Sequence, residues 1–321
     1  MNIFELVDEL FEAFAEGLGE PLAESARDLP RALRLAPERV PWSRVFSHEA
    51  TLGAPALFAE AMPGVSRQAV RDAVMAHALA VIDAFGTDRI EDGQIPVSPT
   101  VTAVLGRARH ERDRAIARLF GGQAPPGCDF GPADVLSLRA IRSERSLLES
   151  GQAMDMDLYE RASLDKQCAG LVASTGLARV AGWSEGRCDS VRTTLESVWL
   201  GLQMADDVVD WEDDLKGGGA WAVCLMKGSV PPPSSGERPT AGASMRKHVL
   251  HSGVLRRMLV RAQQHMGLAR MRASALNAPR LASWAAAQEA RLQGLVAGET
   301  RHPGYAVRAH ALAAWAGEVL S

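Results

Sequence analysis

The feature that most restricts the fold of this chain is the helical spacing of its apolar residues. Segments rich in Ala, Leu, Arg and Glu repeat at this spacing, and alternating runs of β-branched residues, the usual sign of strands, do not occur. The sequence therefore predicts an all-α fold. The predicted helices span residues 3–17, 20–34, 48–61, 66–92, 100–120, 132–150, 156–182, 187–215, 244–275, 279–298 and 305–319.

Composition predicts one globular domain. The chain has 321 residues, of which 47% are hydrophobic and 23% charged, a balance that allows a sizeable core. No repeat or shift in composition divides the chain, so residues 1–321 are predicted to form a single domain. Residues 121–132 are predicted to be a plain turn-rich connection. Residues 228–244 are predicted to be a mobile loop, either an active-site flap or an inert surface insertion.

Charge and hydropathy argue against two classes of partner. The net charge of −4 and the spread of basic residues along the sequence offer no obvious surface for nucleic acid. No stretch approaches the roughly 20 apolar residues needed to cross a bilayer, so stable membrane insertion is not expected. No secretion signal is visible and the cysteines are isolated, which predicts reduced thiols in a cytoplasmic protein. The cysteines are Cys128, Cys168, Cys188 and Cys224.

The most distinctive stretch is the acidic segment 200–215, LGLQMADDVVDWEDDL. On a helix, its polar residues share about one third of the circumference, opposite an apolar face. Neighbouring carboxylates repel each other by a few tenths of a kcal/mol, and Asp forms helices less readily than Glu. Short carboxylates at this spacing suit Mg²⁺ shared with substrate phosphates, and the alternative is a solvated acidic face. The polar residues are Gln203, Asp206, Asp207, Asp210 and Asp214.

The predicted helix 66–92 carries a second pair of carboxylates, Asp88 and Asp92, at the end of an apolar face. This face includes His77, Val81 and Phe85. Such a helix either lines an apolar pocket whose mouth binds metal, or is an ordinary core helix with a solvated last turn. His77 is either a ligand or a core histidine. Acids at a helix C-terminus oppose the macrodipole, so some compensating charge is expected.

The predicted helix 156–182 places one cation, Lys166, on a face of small residues. A lone lysine in this setting either extends along the surface to solvent or is held to bind an anion. The residues alone leave both alternatives open.

These segments together resemble the trans-isoprenyl diphosphate synthase superfamily and its terpene-cyclase relatives. Residues 202–210 resemble the second aspartate-rich motif, FQxxDDxxD, with Leu202 in place of Phe. Residues 87–93, TDRIEDG, are similar to the first motif, DDxxD, with Arg89 in place of the second Asp. Residues 151–155 resemble the GQxxD segment, and Lys166 the lysine of the KT motif, with Gln167 in place of Thr.

The resemblance implies a single-domain class I isoprenoid synthase bundle of helices around a central cavity, Mg²⁺ as cofactor, a prenyl diphosphate substrate and a homodimer. It implies that Lys166 grips the diphosphate, with Gln203 or Lys216 assisting. Val81 and Phe85 would line the cavity, and Trp199 would either stabilise a carbocation or belong to the core. The implied metal ligands are Asp88, Asp92, Asp206, Asp207 and Asp210.

Two basic elements of the chain-elongating members are missing. Residues 41–55 lack their GGKxxRP segment, and no Arg pair follows Asp92. Arg107, Arg109 and Arg112 either supply some of this charge or form a solvated face. The sequence therefore favours a class I terpene synthase that ionises and cyclises a C15 or C20 prenyl diphosphate. The alternatives are a prenyltransferase that joins an allylic diphosphate to another acceptor, and an inactive partner subunit.

Overall fold

The structure, a computed structural model, describes residues 2–46, 48–229 and 243–311. These residues contain no β-strand, which confirms the all-α prediction. Residues 305–311 are also helical. The remaining helices are α1 (Ile3–Leu18), α2 (Leu22–Arg27), α3 (Leu29–Ala32), α4 (Trp42–Val45), α5 (Glu49–Ala59), α6 (Arg67–Glu91), α7 (Pro99–Leu119), α8 (Gly131–Ser150), α9 (Met156–Gln167), α10 (Ala169–Val180), α11 (Glu185–Gly217), α12 (Trp221–Ser229), α13 (Ala243–Ser252), α14 (Val254–Ala275) and α15 (Pro279–Arg301).

Most predicted helices are present, but three of them are interrupted. The predicted helix 156–182 breaks at Cys168, and the predicted helix 244–275 breaks at Gly253, whose φ of 73° suits glycine. The predicted helix 20–34 is two short helices, α2 and α3, with Pro30 in the first turn of α3. Helices α4 and α12 were not predicted.

The chain divides into two compact units. The first comprises Met1–Ile141, Asp165–Glu196 and Arg272–Ala282. The second comprises Arg142–Leu164, Ser197–Met271 and Ser283–Ser321. Helices α8, α9, α11, α14 and α15 each contribute residues to both units. The single domain and its central cavity stay predictions.

Helix α6 is the centre of the first unit, where it packs against α1, α5, α7 and α10. The hydroxyl of Ser66 caps its N-terminus by accepting a hydrogen bond from the amide of Ala69 at 3.1 Å. His77 is fully buried on α6, and its Nε2 lies 3.0 Å from the carbonyl oxygen of Thr51. Burial lowers the pKa of His77 to about 4. His77 is therefore a core histidine.

Helices α6 and α7 approach each other closely at Gly86. A Cβ atom added to Gly86 would lie 2.7 Å and 2.8 Å from the two methyl carbons of Leu105. Because glycine leaves this space open, the last turn of α6, which carries Asp88, lies directly against α7.

The second unit has its own core, which the apolar face of α11 helps to form. Met204, Val208 and Trp211 of this face are each at most 1% exposed. They belong to one cluster with buried residues of α12 and α14. This packing leaves the opposite face of α11 to its polar residues.

The remaining structural predictions have mixed outcomes. All four cysteines are free thiols, as predicted. Residues 121–130 contain turns rather than a helix, as predicted. The predicted loop 228–244 falls mainly on residues 230–242, which lie outside the described residues. Across the described part of the chain, no helix combines the length and apolar character that a membrane span requires.

The close approach at Gly86 gives a stability prediction. Gly86→Ala should lower the free energy of unfolding by about 1–3 kcal/mol, since its methyl group would displace Leu105. Gly106→Ala on α7 is the matched control, because no atom lies within 4 Å of the added methyl group. It should raise the free energy of unfolding by about 0.5–1 kcal/mol through helix propensity. Urea denaturation measures both, and equal effects would contradict the packing described for α6 and α7.

Candidate functional site

The carboxylates of Asp206 and Asp210 lie one turn apart on α11, in the second unit. Partial desolvation, and then the charge of Asp210, raise the pKa of Asp206 to about 6, although its side chain remains accessible to solvent. Partial burial also raises the pKa of Asp210, an effect that His310 opposes and Asp213 reinforces. Among the described residues, neither carboxylate forms an ion pair with Lys or Arg. Both groups therefore carry charge that a bound cation would stabilise.

Asp207, between them in sequence, is buried and bonded on both oxygens. The hydroxyl of Tyr159 donates to Oδ2 at 2.6 Å, and Nε2 of Gln203 donates to Oδ1 at 2.9 Å. Burial raises the pKa of Asp207 to about 8 despite these bonds. Asp207 is thus less accessible to a ligand than Asp206 and Asp210. The structure thus gives Gln203 a contact with this carboxylate.

Tyr159 is itself fixed by aromatic packing within the second unit. Its ring meets Trp221 edge to face at a centroid distance of 4.9 Å. The indole nitrogen of Trp221 donates to Oε1 of Glu144 at 2.7 Å. Because these contacts hold the ring of Tyr159, its hydroxyl group remains directed at Asp207.

A half-buried ion cluster ties α9 to α14 beside Tyr159. Oε1 of Glu160 lies 2.5 Å from Nε of Arg261 and 3.1 Å from Nε2 of His265. Burial favours protonation of Glu160, but His265 and Arg261 outweigh burial and lower its pKa to about 2. The sequence does not predict this cluster, because Arg261 and His265 lie 101 and 105 residues from Glu160.

Lys166 forms an ion pair with Asp88 in the first unit. Its Nζ lies 3.0 Å from Oδ1 of Asp88, and the two side chains are 21% and 20% exposed. The hydroxyl of Ser137 donates to the carbonyl oxygen of Lys166 at 2.6 Å, where α9 ends. Lys166 is therefore held against a carboxylate rather than extended along an open surface.

Arg89 lies between the other charges of this segment. Burial lowers its pKa, and Arg34 adds to this effect, whereas Asp88 and Asp92 favour the protonated form. Asp92 follows α6 as its C-cap. The two acids at this helix end are therefore compensated by two cations, Lys166 and Arg89, as their position at the negative end of the helix dipole requires.

The arginines of α7 are engaged in the first unit. Nε of Arg109 donates to Oδ2 of Asp83 at 2.7 Å, and its Nη2 donates to Oγ1 of Thr87 at 2.9 Å. Since Thr87 precedes Asp88, Arg109 fixes the turn that carries this carboxylate. Arg112 is buried, with bonds of 2.9 Å and 2.7 Å to the carboxylate of Asp134. Arg112 is thus not part of a solvated face, and Arg109, although exposed, is paired with Asp83.

Of the four other predicted site residues, three are buried or half-buried and one is exposed. Val81 is half-buried, and Phe85 is half-buried against Phe46 at a centroid distance of 4.9 Å. Trp199 is buried, with 7% of its surface exposed. Lys216 is an exposed side chain whose Nζ lies 2.5 Å from Oδ1 of Asp213.

The donor set supplies few protein ligands for a divalent cation. Within the described ranges, no three side chains of the metal-binding types lie close enough to hold a metal by themselves. Mg²⁺ commonly takes only one or two carboxylates and completes its shell with water and substrate phosphates. Asp206 and Asp210, with hard oxygen atoms and raised pKa values, fit this kind of binding.

The fold is shared with known prenyl synthetases, although no family model and no curated protein sequence matches the chain. A polyprenyl synthetase from Streptomyces coelicolor A3(2) has a TM-score of 0.64 at 13% identity, over 89% of this chain and 97% of that chain. A geranylgeranyl pyrophosphate synthetase from the archaeon Geoglobus acetivorans has a TM-score of 0.60 at 18% identity, over 89% and 98%. At these identities the similarity shows the fold, which is the all-α fold that the sequence predicts.

The Glu160 cluster gives a prediction about acid stability. The pKa of Glu160 in the folded protein lies below its unfolded value of 4.5. The ionised carboxylate therefore stabilises the fold above about pH 4.5, and this contribution is lost as the pH falls toward about 2. Glu160→Gln should lower the melting temperature most near pH 6, and the difference from the original protein should shrink below pH 4.

Glu149→Gln is the control for that measurement, since Glu149 forms an exposed ion pair with Arg145. Exposed pairs of this kind contribute little to stability. Thermal unfolding followed by circular dichroism from pH 3 to pH 6 makes the comparison. A deficit in Glu160→Gln that is constant over this range would refute the assignment of the ionised carboxylate.

Proposed function

We propose that this chain is a metal-dependent enzyme that transfers the prenyl group of an allylic diphosphate to an acceptor. The observation that carries the proposal is the pair Asp206 and Asp210, two adjacent carboxylates whose pKa values are raised and which form no ion pair with Lys or Arg among the described residues. Both fold neighbours are named as synthetases of prenyl compounds, which favours transfer over cyclisation. We infer Mg²⁺ as the cofactor from the hard oxygen donors.

The chemistry assigns each residue a separate task. Asp206 and Asp210 would hold a divalent ion, which when bound supplies Lewis-acid stabilisation of the leaving diphosphate. Lys166 would exchange its contact with Asp88 for a diphosphate oxygen, adding a positive charge where negative charge develops. Phe85 and Val81 would shield the ionised prenyl group from water.

A second candidate function is cyclisation of the same substrate by a class I terpene synthase. The observation in its favour is that Arg109 and Arg112 are paired with Asp83 and Asp134. They do not replace the missing basic segments that would bind a second diphosphate. A prenyltransferase would therefore have to bind its acceptor through residues other than Arg109 and Arg112.

One assay distinguishes prenyl transfer from cyclisation. The purified chain is given Mg²⁺ and C10, C15 or C20 allylic diphosphates, with and without isopentenyl diphosphate or aromatic acceptors, and diphosphate release is measured. Release that requires an acceptor supports prenyl transfer. Release without an acceptor, with a cyclic hydrocarbon or alcohol as product, supports cyclisation. No release under any condition would overturn both proposals and leave the inactive partner subunit.

The site assignment predicts two damaging substitutions. Asp206→Ala and Lys166→Ala should each lower kcat by about 10²–10³-fold, because each removes a group that stabilises the leaving diphosphate. Asp189→Ala and Lys247→Ala are the controls, since they remove an exposed carboxylate from the same helix as Asp206 and an exposed lysine. The controls should retain activity, and all four should keep the helical circular dichroism. Full activity of Asp206→Ala would refute the metal assignment.

Arg109 is predicted to be a positioning residue for Asp88. Arg109→Ala removes the bonds to Asp83 and Thr87 that fix Asp88, the partner of Lys166. It should lower kcat/KM for the allylic diphosphate by about 10-fold, because Lys166 loses its fixed position. Arg109→Lys should recover part of this loss. The control is Arg107→Ala, an exposed residue of the same helix. If Arg109→Ala changes the melting temperature but not kcat/KM, Arg109 has only a structural role.

A further inference from the structure

A long segment of the second unit is basic although the whole chain is acidic. Residues 243–271 contain six Lys and Arg residues and no Asp or Glu, whereas the net charge of the chain is −4. Such a local excess of one sign creates a potential at the surface that the net charge does not reveal. The contacts of these cations determine which of them remain exposed and are not paired with acids.

Some of these cations are neutralised by acids of the same unit. Nε of Arg246 lies 2.8 Å from Glu212, and Nε of Arg270 lies 2.8 Å from Glu289. Arg261 belongs to the Glu160 cluster. These three arginines are therefore exposed to different extents but are each paired with an acid of the same unit.

The fold brings the other cations of this segment next to those of a second segment, residues 298–311. Nε of Arg256 donates to Oγ1 of Thr300 at 2.8 Å, which joins α14 to the end of α15. Leu250 of α13 packs over Gly304, where an added Cβ atom would lie 2.9 Å from its methyl carbon. The exposed basic residues around these contacts, called here the basic face, are Lys247, His248, His251, Arg256, Arg257, Arg301, His302 and Arg308.

Three arginines of the basic face are oriented by backbone carbonyl groups rather than by carboxylates. Arg257 donates to the carbonyl of Ser252 at 3.0 Å, and Arg301 to that of Ala297 at 3.2 Å. Arg308 donates to the carbonyl of Pro303 at 3.2 Å. These bonds fix the guanidinium groups without cancelling their charge.

The described residues supply no exposed acid on the two segments that form the basic face. Within residues 243–257 and 298–311, the one acidic residue is Glu299, which is 5% exposed. Its carboxylate accepts bonds from the amides of Gly304 and Ala306, at 2.6 Å and 3.1 Å. Glu299 therefore stabilises the turn at Gly304 from the interior of the fold. Its carboxylate is not exposed to an external ligand.

We propose that the basic face docks this protein on an anionic lipid surface. Basic residues near such a surface each strengthen binding about fivefold, so five Lys and Arg residues give a substantial and reversible attachment. Tyr305, 39% exposed within the face, suits the polar–apolar boundary of a bilayer. Single-stranded nucleic acid would instead require several aromatic side chains for base stacking. The proposal does not depend on the proposed enzymatic function.

The test is sedimentation of the full chain with vesicles of phosphatidylcholine, with or without 30% phosphatidylglycerol. The chain should bind only the anionic vesicles, and added salt should weaken binding. The triple variant Arg256→Ala, Arg257→Ala and Arg301→Ala should bind about 100-fold more weakly, at about fivefold per residue. Circular dichroism confirms that the variant is folded.

The matched control removes the same net charge elsewhere. Arg39→Ala, Arg71→Ala and Arg192→Ala alter residues of the first unit that are paired with acids. This triple variant should bind anionic vesicles like the original chain. Equal losses in the two triple variants would show a response to net charge alone and would overturn the proposal. Binding to a short DNA duplex as strong as to the anionic vesicles would also overturn it.

Discussion

The proposed site depends on an imbalance of charge between two pairs of carboxylates. Asp88 and Asp92 end a helix, and the protein supplies Lys166 and Arg89 to compensate them. Asp206 and Asp210 lie side by side on α11, and the described part of the chain gives them no Lys or Arg partner. Like charges at this spacing oppose helix formation and folding. The chain therefore retains at α11 an unfavourable arrangement that a bound cation would relieve, which is typical of a functional site.

The surroundings of Asp207 give this arrangement rigidity. A buried carboxylate is costly unless its hydrogen bonds are satisfied, and Tyr159 and Gln203 satisfy both oxygens. Tyr159 in turn is fixed by the packing of Trp221. The adjacent Asp206 and Asp210 are thereby carried on a helix that cannot easily rotate, so their oxygen atoms keep a constant geometry for a ligand.

The sequence predicted the features that local patterns encode. Helix α6 was placed within one residue at each end, because Ser66 is a good N-cap and the apolar spacing is long and regular. The break at Cys168 was missed, because the hydroxyl that bonds the freed carbonyl of Lys166 belongs to Ser137, 29 residues away. The partners of Arg109, Tyr159 and Glu160 were missed for the same reason, since tertiary contacts leave no periodic signal. The acidic face of α11 was visible in sequence, but the burial that separates Asp207 from its neighbours was not.

The most direct test of the central claim is calorimetric titration of inorganic diphosphate into the protein, with and without Mg²⁺. If Asp206 and Asp210 bind diphosphate through a divalent ion, added Mg²⁺ should raise the affinity of the protein for diphosphate by at least about 100-fold. The reason is that phosphate oxygens complete the coordination shell of the metal. The double variant Asp206→Ala and Asp210→Ala should show no such rise. Diphosphate binding that is equally strong without Mg²⁺, or a metal effect that survives in the double variant, would contradict the account.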